Sequence, residues 1–183
     1  MKELASGCRL RLAEERDVPA LEVLIPRSAR ALQVPHYRPE QIEAALGPVF
    51  GVDRQLIQDG TYFVVEMSGR IVGAGGWSRR RSLFGGDEGR TREDDMLDPG
   101  RDAARVRAFF VHPDQARRGL GRALLEASEE AIVRARFRRI ELVATLAGEV
   151  LYAACGYRVT ERGEIDLVGG LRLPVVWMRK EVG

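Results

Sequence analysis

The chain has 183 residues, 45% of them apolar and 31% charged, and 29 basic against 27 acidic side chains leave a net charge of +2. That length is room for one domain, expected to span residues 1–183. The balance excludes a disordered chain, and the near-neutral charge speaks against a dedicated nucleic-acid binder. Lys2 and Lys180 are the only lysines, a bias that fits either bidentate phosphate contacts by arginine or a GC-rich coding sequence. Cys8 and Cys155 stand far apart outside any CxxC pattern, and His36 and His112 are the only histidines, so a structural zinc site is not expected. The segment MKELASGCRLRLAEERD has no apolar signal core, and no run approaches the roughly 20 apolar residues of a membrane span. The expectation is a cytoplasmic protein without membrane contact.

Residues 8–13 (CRLRLA) alternate apolar and basic and predict a strand. Asp17 can cap a helix carrying Val18, Leu21, Leu24 and Ile25, in which Pro26 predicts a kink or break. Residues 39–46 (PEQIEAAL) predict a short helix with proline in its first turn. Residues 61–67 (TYFVVEM) and 70–77 (RIVGAGGW) predict a hairpin across Ser68-Gly69. Residues 79–102, rich in Arg, Asp, Glu and Gly, predict a long irregular connection.

Residues 106–111 (VRAFFV) predict the next strand, and 119–135 a helix with an apolar stripe through Leu120, Leu124, Ala127 and Ala131. Residues 139–145 predict a strand, 149–155 a short helix, and 157–167 with 173–181 a closing strand pair around Gly169-Gly170. The order β-α-α-β-β-β-α-β-α-β-β describes an α/β fold, a mixed sheet with helices on its faces.

The most informative stretch is VRAFFVHPDQARRGLGRALL, residues 106–125. A strand runs into an Arg- and Gly-rich loop that opens a helix. A helix start presents unpaired N–H groups and the positive end of its dipole, and glycine admits a bulky anion to the backbone. That is a phosphate cradle, ringed by Arg117, Arg118 and Arg122. A P-loop would need a lysine that is absent. A Rossmann fingerprint would need a small residue where Leu124 stands.

The turn resembles that of the GNAT superfamily of acyl-CoA-dependent N-acetyltransferases. Arg117, Arg118, Gly119, Leu120 and Gly121 match the second half of the family's Arg/Gln-x-x-Gly-x-Gly/Ala turn, while Ala116 departs from its first position. The resemblance implies a mainly antiparallel sheet flanked by helices and splayed at its central strand. It implies acetyl-CoA as cosubstrate, with pantetheine paired to the free backbone of Phe109, Phe110 and Val111 like an added strand. One of the two phenylalanine rings is also expected to be core. Arg117, Arg118, Gly119, Leu120, Gly121 and Arg122 would take the pyrophosphate, and Thr145 would stand at the far wall of the groove.

Residues 150–157 (VLYAACGY) resemble the family's helix in which a tyrosine donates to the CoA sulfur, which falls on Tyr152. A phenol with a pKa of about 10 keeps its proton where a thiol at about 8.5 begins to lose it. The plain alternative is a half-buried aromatic that anchors the helix. Cys155 reads as a small buried hydrophobe, because the family transfers directly. The general base stays open among Glu66, His36, Asp94, Asp95, a water relay and capture of the already neutral amine, for no acid lies in residues 105–111.

The implied reaction is acetyl transfer to the amine of a small molecule. The alternatives are a non-catalytic acyl-CoA sensor and a protein N-acetyltransferase. Residues 27–37 and the insert 79–102 would shape the acceptor site, the insert as a lid. A homodimer is the family tendency.

Overall fold

The computed structural model describes residues 2–4, 7–87 and 95–183. Eight strands form one sheet in the order β1-β2-β3-β4-β5-β6-β8-β7. They are β1 (Lys2–Leu4), β2 (Cys8–Leu12), β3 (Tyr62–Met67), β4 (Arg70–Ser78), β5 (Ala104–Val111), β6 (Arg139–Thr145), β7 (Arg158–Asp166) and β8 (Arg172–Glu181). All neighbours pair antiparallel except β5 and β6.

Helices α1 (Val18–Leu32), α2 (Pro39–Ala45) and α3 (Arg54–Gln58) precede the β3–β4 hairpin, and α4 (Leu120–Arg134) and α5 (Leu146–Ala154) flank β6. The hairpin turns at Ser68 and Gly69, both left-handed at φ 48° and 76°, the pairing that a tight two-residue turn requires.

Each face of the sheet has its own core. Leu21, Leu24 and Ile25 of α1 and Ile42 of α2 pack with Val64, Ala74, Phe110 and Val175. On the other face Leu125 and Ile132 of α4 and Tyr152 of α5 pack with Val106, Ile140, Leu142 and Met178.

Helix α1 runs unbroken through Pro26, so of the expected kink or break the break does not occur. Pro26 removes only the N–H that would return to the carbonyl of Glu22, and Glu22 is exposed, so water can serve that carbonyl. Leu21, Leu24, Ile25, Ser28 and Ala29, buried on both sides of the proline, hold the helix down. Helix α3 and strand β1 were not expected. α3 is a five-residue turn started by Asp53, whose Oδ1 accepts the Leu56 N–H at 3.2 Å.

The long connection is tied down at both ends. Arg80 bridges to Met96, the Leu97 N–H reaches the Arg79 carbonyl at 2.8 Å, and the Asp87 N–H reaches the Val52 carbonyl at 3.0 Å. Among the described residues no helix is long and apolar enough to cross a membrane.

Candidate active site

Strands β5 and β6 run parallel and pair only at Ala104↔Ile140 and Arg105↔Glu141. Beyond that point β5 stays with β4 to Val111, and β6 stays with β8 to Thr145. The sheet therefore opens into a V, closed at its apex by the ion pair of Arg105 with Glu141. A cleft of about 620 Å³ fills the V.

A bulge shapes the β5 wall. Phe110 faces Ala74 and Arg107 faces Gly76, so Ala108 and Phe109 together stand opposite Gly75. Ala108 takes the left-handed φ of 60°. The buried Tyr62 donates its hydroxyl to the Ala108 carbonyl at 3.0 Å and so fixes the bulge. An inserted residue reverses the alternation of a strand. Val106 packs toward α4 and α5, yet Ala108 and Phe110 pack toward α1, and Phe109 turns back toward α5. Phe110 is core, edge-on to Phe50 at 6.4 Å. Phe109 lies on Gly75, where a Cβ would come within 2.8 Å of the ring.

The His112 N–H bonds to the Val72 carbonyl at 2.8 Å. Antiparallel pairing alternates, so the backbone of Val111 points away from β4 and into the V. Its N–H donates to Ser28 Oγ of α1 at 3.2 Å, and its carbonyl is left on that free edge.

At the end of β5 the chain turns through Pro113–Gln115 and Ala116 into the start of α4. Arg117 is left-handed at φ 63°, and Gly119, the residue before the helix, is left-handed at φ 84°. The first helical bond runs from the Ala123 N–H to the Gly119 carbonyl at 3.0 Å, so the four amides from Gly119 to Arg122 have no intrahelical partner. A Cβ on Gly119 would meet nothing within 4 Å, which leaves the approach open. One on Gly121 would stand 3.0 Å from Leu151 Cδ2, so this glycine lets α4 close on α5.

Across the V, Thr145 begins α5, its hydroxyl accepting the Gly148 N–H at 3.1 Å. Tyr37 reaches over from the end of α1. Its hydroxyl donates to the Pro174 carbonyl at 2.7 Å and accepts the Leu146 N–H at 2.9 Å. Burial pushes the Tyr37 phenol up to about 12, against the pull of the Leu146 N–H. Tyr152, in the last turn of α5, is buried and edge-on to Phe109 at 6.1 Å and to Tyr157 at 5.8 Å. Burial first, and then Cys155, hold its phenol well above the usual tyrosine range. Burial likewise raises the thiol of Cys155.

The cleft brings together Phe109, Phe110, Val111, Arg117, Gly119, Leu120, Gly121, Arg122, Thr145 and Tyr152. Arg118 stays outside its lining, and its Nη1 donates to Gln115 Oε1 at 3.3 Å. Of the base candidates, His36 lines the cleft. Glu66 bonds instead to Arg11 at 3.3 Å on the far side of β3, and Asp95 is exposed away from the lining. Asp94 lies outside the described residues. Leu83, Phe84 and Gly85 of the insert also line the cleft, while Arg90, Arg92 and Glu93 are outside the described residues.

Sequence reasoning missed Arg107, and it did not single out Ser28, Gln33 and Tyr37 within the residues 27–37 expected to shape the acceptor site. Ser28 had a signal, a polar residue on the apolar stripe of α1. Arg107 is a charged residue amid a β-rich run. It is buried with Asp53, Nε to Oδ2 3.0 Å, and donates to the Ser82 carbonyl at 2.6 Å. Among the described lining residues the charged side chains are Arg107, Arg117 and Arg122, with no carboxylate.

Residues 58–159 match the acetyltransferase (GNAT) domain family, more than half of the chain, and the protein belongs to that family. Solved structures share the fold. A GCN5-related N-acetyltransferase from Rhodopseudomonas palustris superposes with a TM-score of 0.71 at 19% identity over 100% of both chains. The yncA protein of Salmonella typhimurium, solved with its cofactor acetyl-CoA, gives 0.62 at 18% identity over 97% of this chain and 95% of that one. The ribosomal-protein-S18-alanine N-acetyltransferase from Escherichia coli gives 0.59 at 18% identity over 96% and 94%. Among curated proteins none matches the sequence. Family membership and the acetyl-CoA-bound neighbour support acetyl-CoA as the cosubstrate.

Proposed function

We propose that this protein moves the acetyl group of acetyl-CoA to the amine of a small molecule. The observation that carries the reading is the parting of β5 from β6 two residue pairs after they meet, with an uncapped helix start at one end of the opening and a protonated buried phenol inside it. Acetyl-CoA brings an acetyl group activated as a thioester, which an amine takes with release of the free thiol.

The amides of Gly119 to Arg122, with the guanidinium groups of Arg117 and Arg122, suit a pyrophosphate. Arg118, outside the lining, adds charge at longer range. The free edge at Phe109–Val111 suits the amides of pantetheine. Ser28 occupies the Val111 N–H, so the Val111 carbonyl is the readier partner there. Thr145 serves through its place at the start of α5, since its hydroxyl caps that helix.

Tyr152 keeps its proton at neutral pH. A phenol raised above a thiol is the weaker acid of the two, so its part is to donate a hydrogen bond to the sulfur as negative charge develops there. His36 is the described lining side chain that can take the proton from the incoming amine. The walling of the cleft by Leu83, Phe84 and Gly85 favours a small acceptor over a peptide lying in an open groove. Tyr152 and His36 favour an enzyme over a passive acyl-CoA sensor, which would need neither.

The test is thiol release from acetyl-CoA across a panel of amines, with acetyl-CoA affinity measured beside it by calorimetry. Amine-dependent release is expected. Tight acetyl-CoA binding with no release from any amine would overturn the enzymatic reading.

A further inference from the structure

Residues 80–87 are seated on the rest of the molecule along their length. Arg80 forks onto Asp59, just past the end of α3, with Nε to Oδ2 at 2.7 Å and Nη2 to Oδ1 at 2.9 Å. The Ser82 carbonyl accepts from Arg107 Nη1 at 2.6 Å. Gly86 lies so close on Gly51 that a Cβ would come within 2.8 Å of the Gly51 Cα. Asp87 donates its N–H to the Val52 carbonyl at 3.0 Å and accepts the Arg54 N–H at 2.9 Å. Between these contacts Leu83, Phe84 and Gly85 line the cleft.

Arg107 is the contact that comes from β5. It directly precedes the bulge at Ala108 and is 5% exposed. Its Nε pairs with Asp53 Oδ2 at 3.0 Å, which balances the buried charge. Its second arm goes to the backbone of the wall. A guanidinium holds two acceptors in one fixed fork, whereas an ammonium is a point charge. Supporting contacts of this kind hold a binding wall to one position.

We propose that Arg107 is a positioning residue for the acceptor, fixing Leu83 and Phe84 through the Ser82 carbonyl so that they set the size of the amine taken. The inference rests on the acetyltransferase reading and narrows it by naming what decides acceptor size.

Two variants test it. Arg107→Lys keeps a charge against Asp53 and gives up the fork. The double variant Asp53→Asn with Arg107→Met removes both charges, keeps an acceptor for the Leu56 N–H and leaves no buried charge stranded. Hydrogen exchange at the Asp87 amide reads the wall with no amine present, and is expected to quicken by about tenfold in both, the loss of one hydrogen bond from a charged donor. Relative to the amine that wild type uses best, kcat/KM for 1-naphthylmethylamine is expected to rise by about tenfold in both, with acetyl-CoA affinity held. Ile132→Val, in the buried core under α4, lowers stability away from the wall and is expected to change neither reading.

An unchanged size preference in the variants, with or without faster exchange, would overturn the proposal alone. So would the same change of preference in Ile132→Val, which would make it an effect of stability. Acetyl-CoA binding without transfer to any amine would overturn the parent reading and this one together.

Discussion

Tyr37→Phe removes one oxygen and with it two hydrogen bonds that join three parts of the chain. Tyr37 is 5% exposed, and its hydroxyl lies between the Pro174 carbonyl of β8 and the Leu146 N–H, the first amide of α5. The phenylalanine ring refills the space, so no cavity term enters. What remains is a carbonyl and an amide left inside without a partner, at about 1–3 kcal/mol each when buried. Both are only partly buried, which points to the lower half, about 2–4 kcal/mol together. For a chain of this size each kcal/mol moves Tm by about 2–4 °C, so a fall of about 5–15 °C is expected.

The loss should also reach function, because α5 carries Tyr152 in its last turn. Urea unfolding with fixed m-value gives the first quantity, and single-turnover thiol release gives the second. The single-turnover rate is expected to fall while acetyl-CoA affinity holds. A destabilisation below about 0.5 kcal/mol, less than one ordinary hydrogen bond, would refute the view that Tyr37 clamps α5 to β8.

Gly119→Trp should abolish acetyl-CoA binding by calorimetry while the circular dichroism spectrum is kept. The new side chain enters open space but fills the cradle, and the left-handed φ of 84° adds a strain of about 1–2 kcal/mol. Asp53→Ala should destabilise by about 3–5 kcal/mol in guanidinium unfolding, for it strands the buried Arg107 charge and uncaps α3.

Acid should unfold the protein in part through Asp17. The hydrogen bonds from Arg11, at 2.7 and 2.9 Å, hold its carboxyl below the usual carboxylate range. A lowered carboxylate contributes fully above its unfolded value of about 3.9 and loses that contribution as the pH falls through its folded value. Stability should therefore drop below about pH 4, and Asp17→Asn should be less stable at pH 7 with a shallower acid limb.

Much of this site could be read from residues 106–157, because a strand, an anion-binding turn, a helix, a strand and a second helix follow one another there without insertion. The bulge could not be read. Strict alternation along VRAFFV puts Val106 and Phe110 on one face, whereas the residue inserted at Ala108 and Phe109 sends them to opposite faces. Nothing local in the sequence marks it. Its support is Tyr62, 46 residues upstream.

The acceptor side was harder for a similar reason. Gln33, His36, Val49, Phe50 and Leu83 come from segments without a motif, and only packing over the V unites them. Helix α3 escaped because five residues show too little periodicity to separate a helix from a loop. Pro26 misled in the opposite direction, since local chemistry predicted a break that a buried face on both sides of it overrides.

The most direct test of the account is the single-turnover rate of acetyl transfer in Tyr152→Phe, measured with saturating acetyl-CoA and the best amine of the panel. The substitution removes only the phenol oxygen from a ring held between Phe109 and Tyr157. The account predicts a rate lower by about a hundredfold with acetyl-CoA affinity within about twofold of wild type. An unchanged rate would contradict it, leaving Tyr152 as an aromatic anchor of α5 and no protein donor assigned to the sulfur.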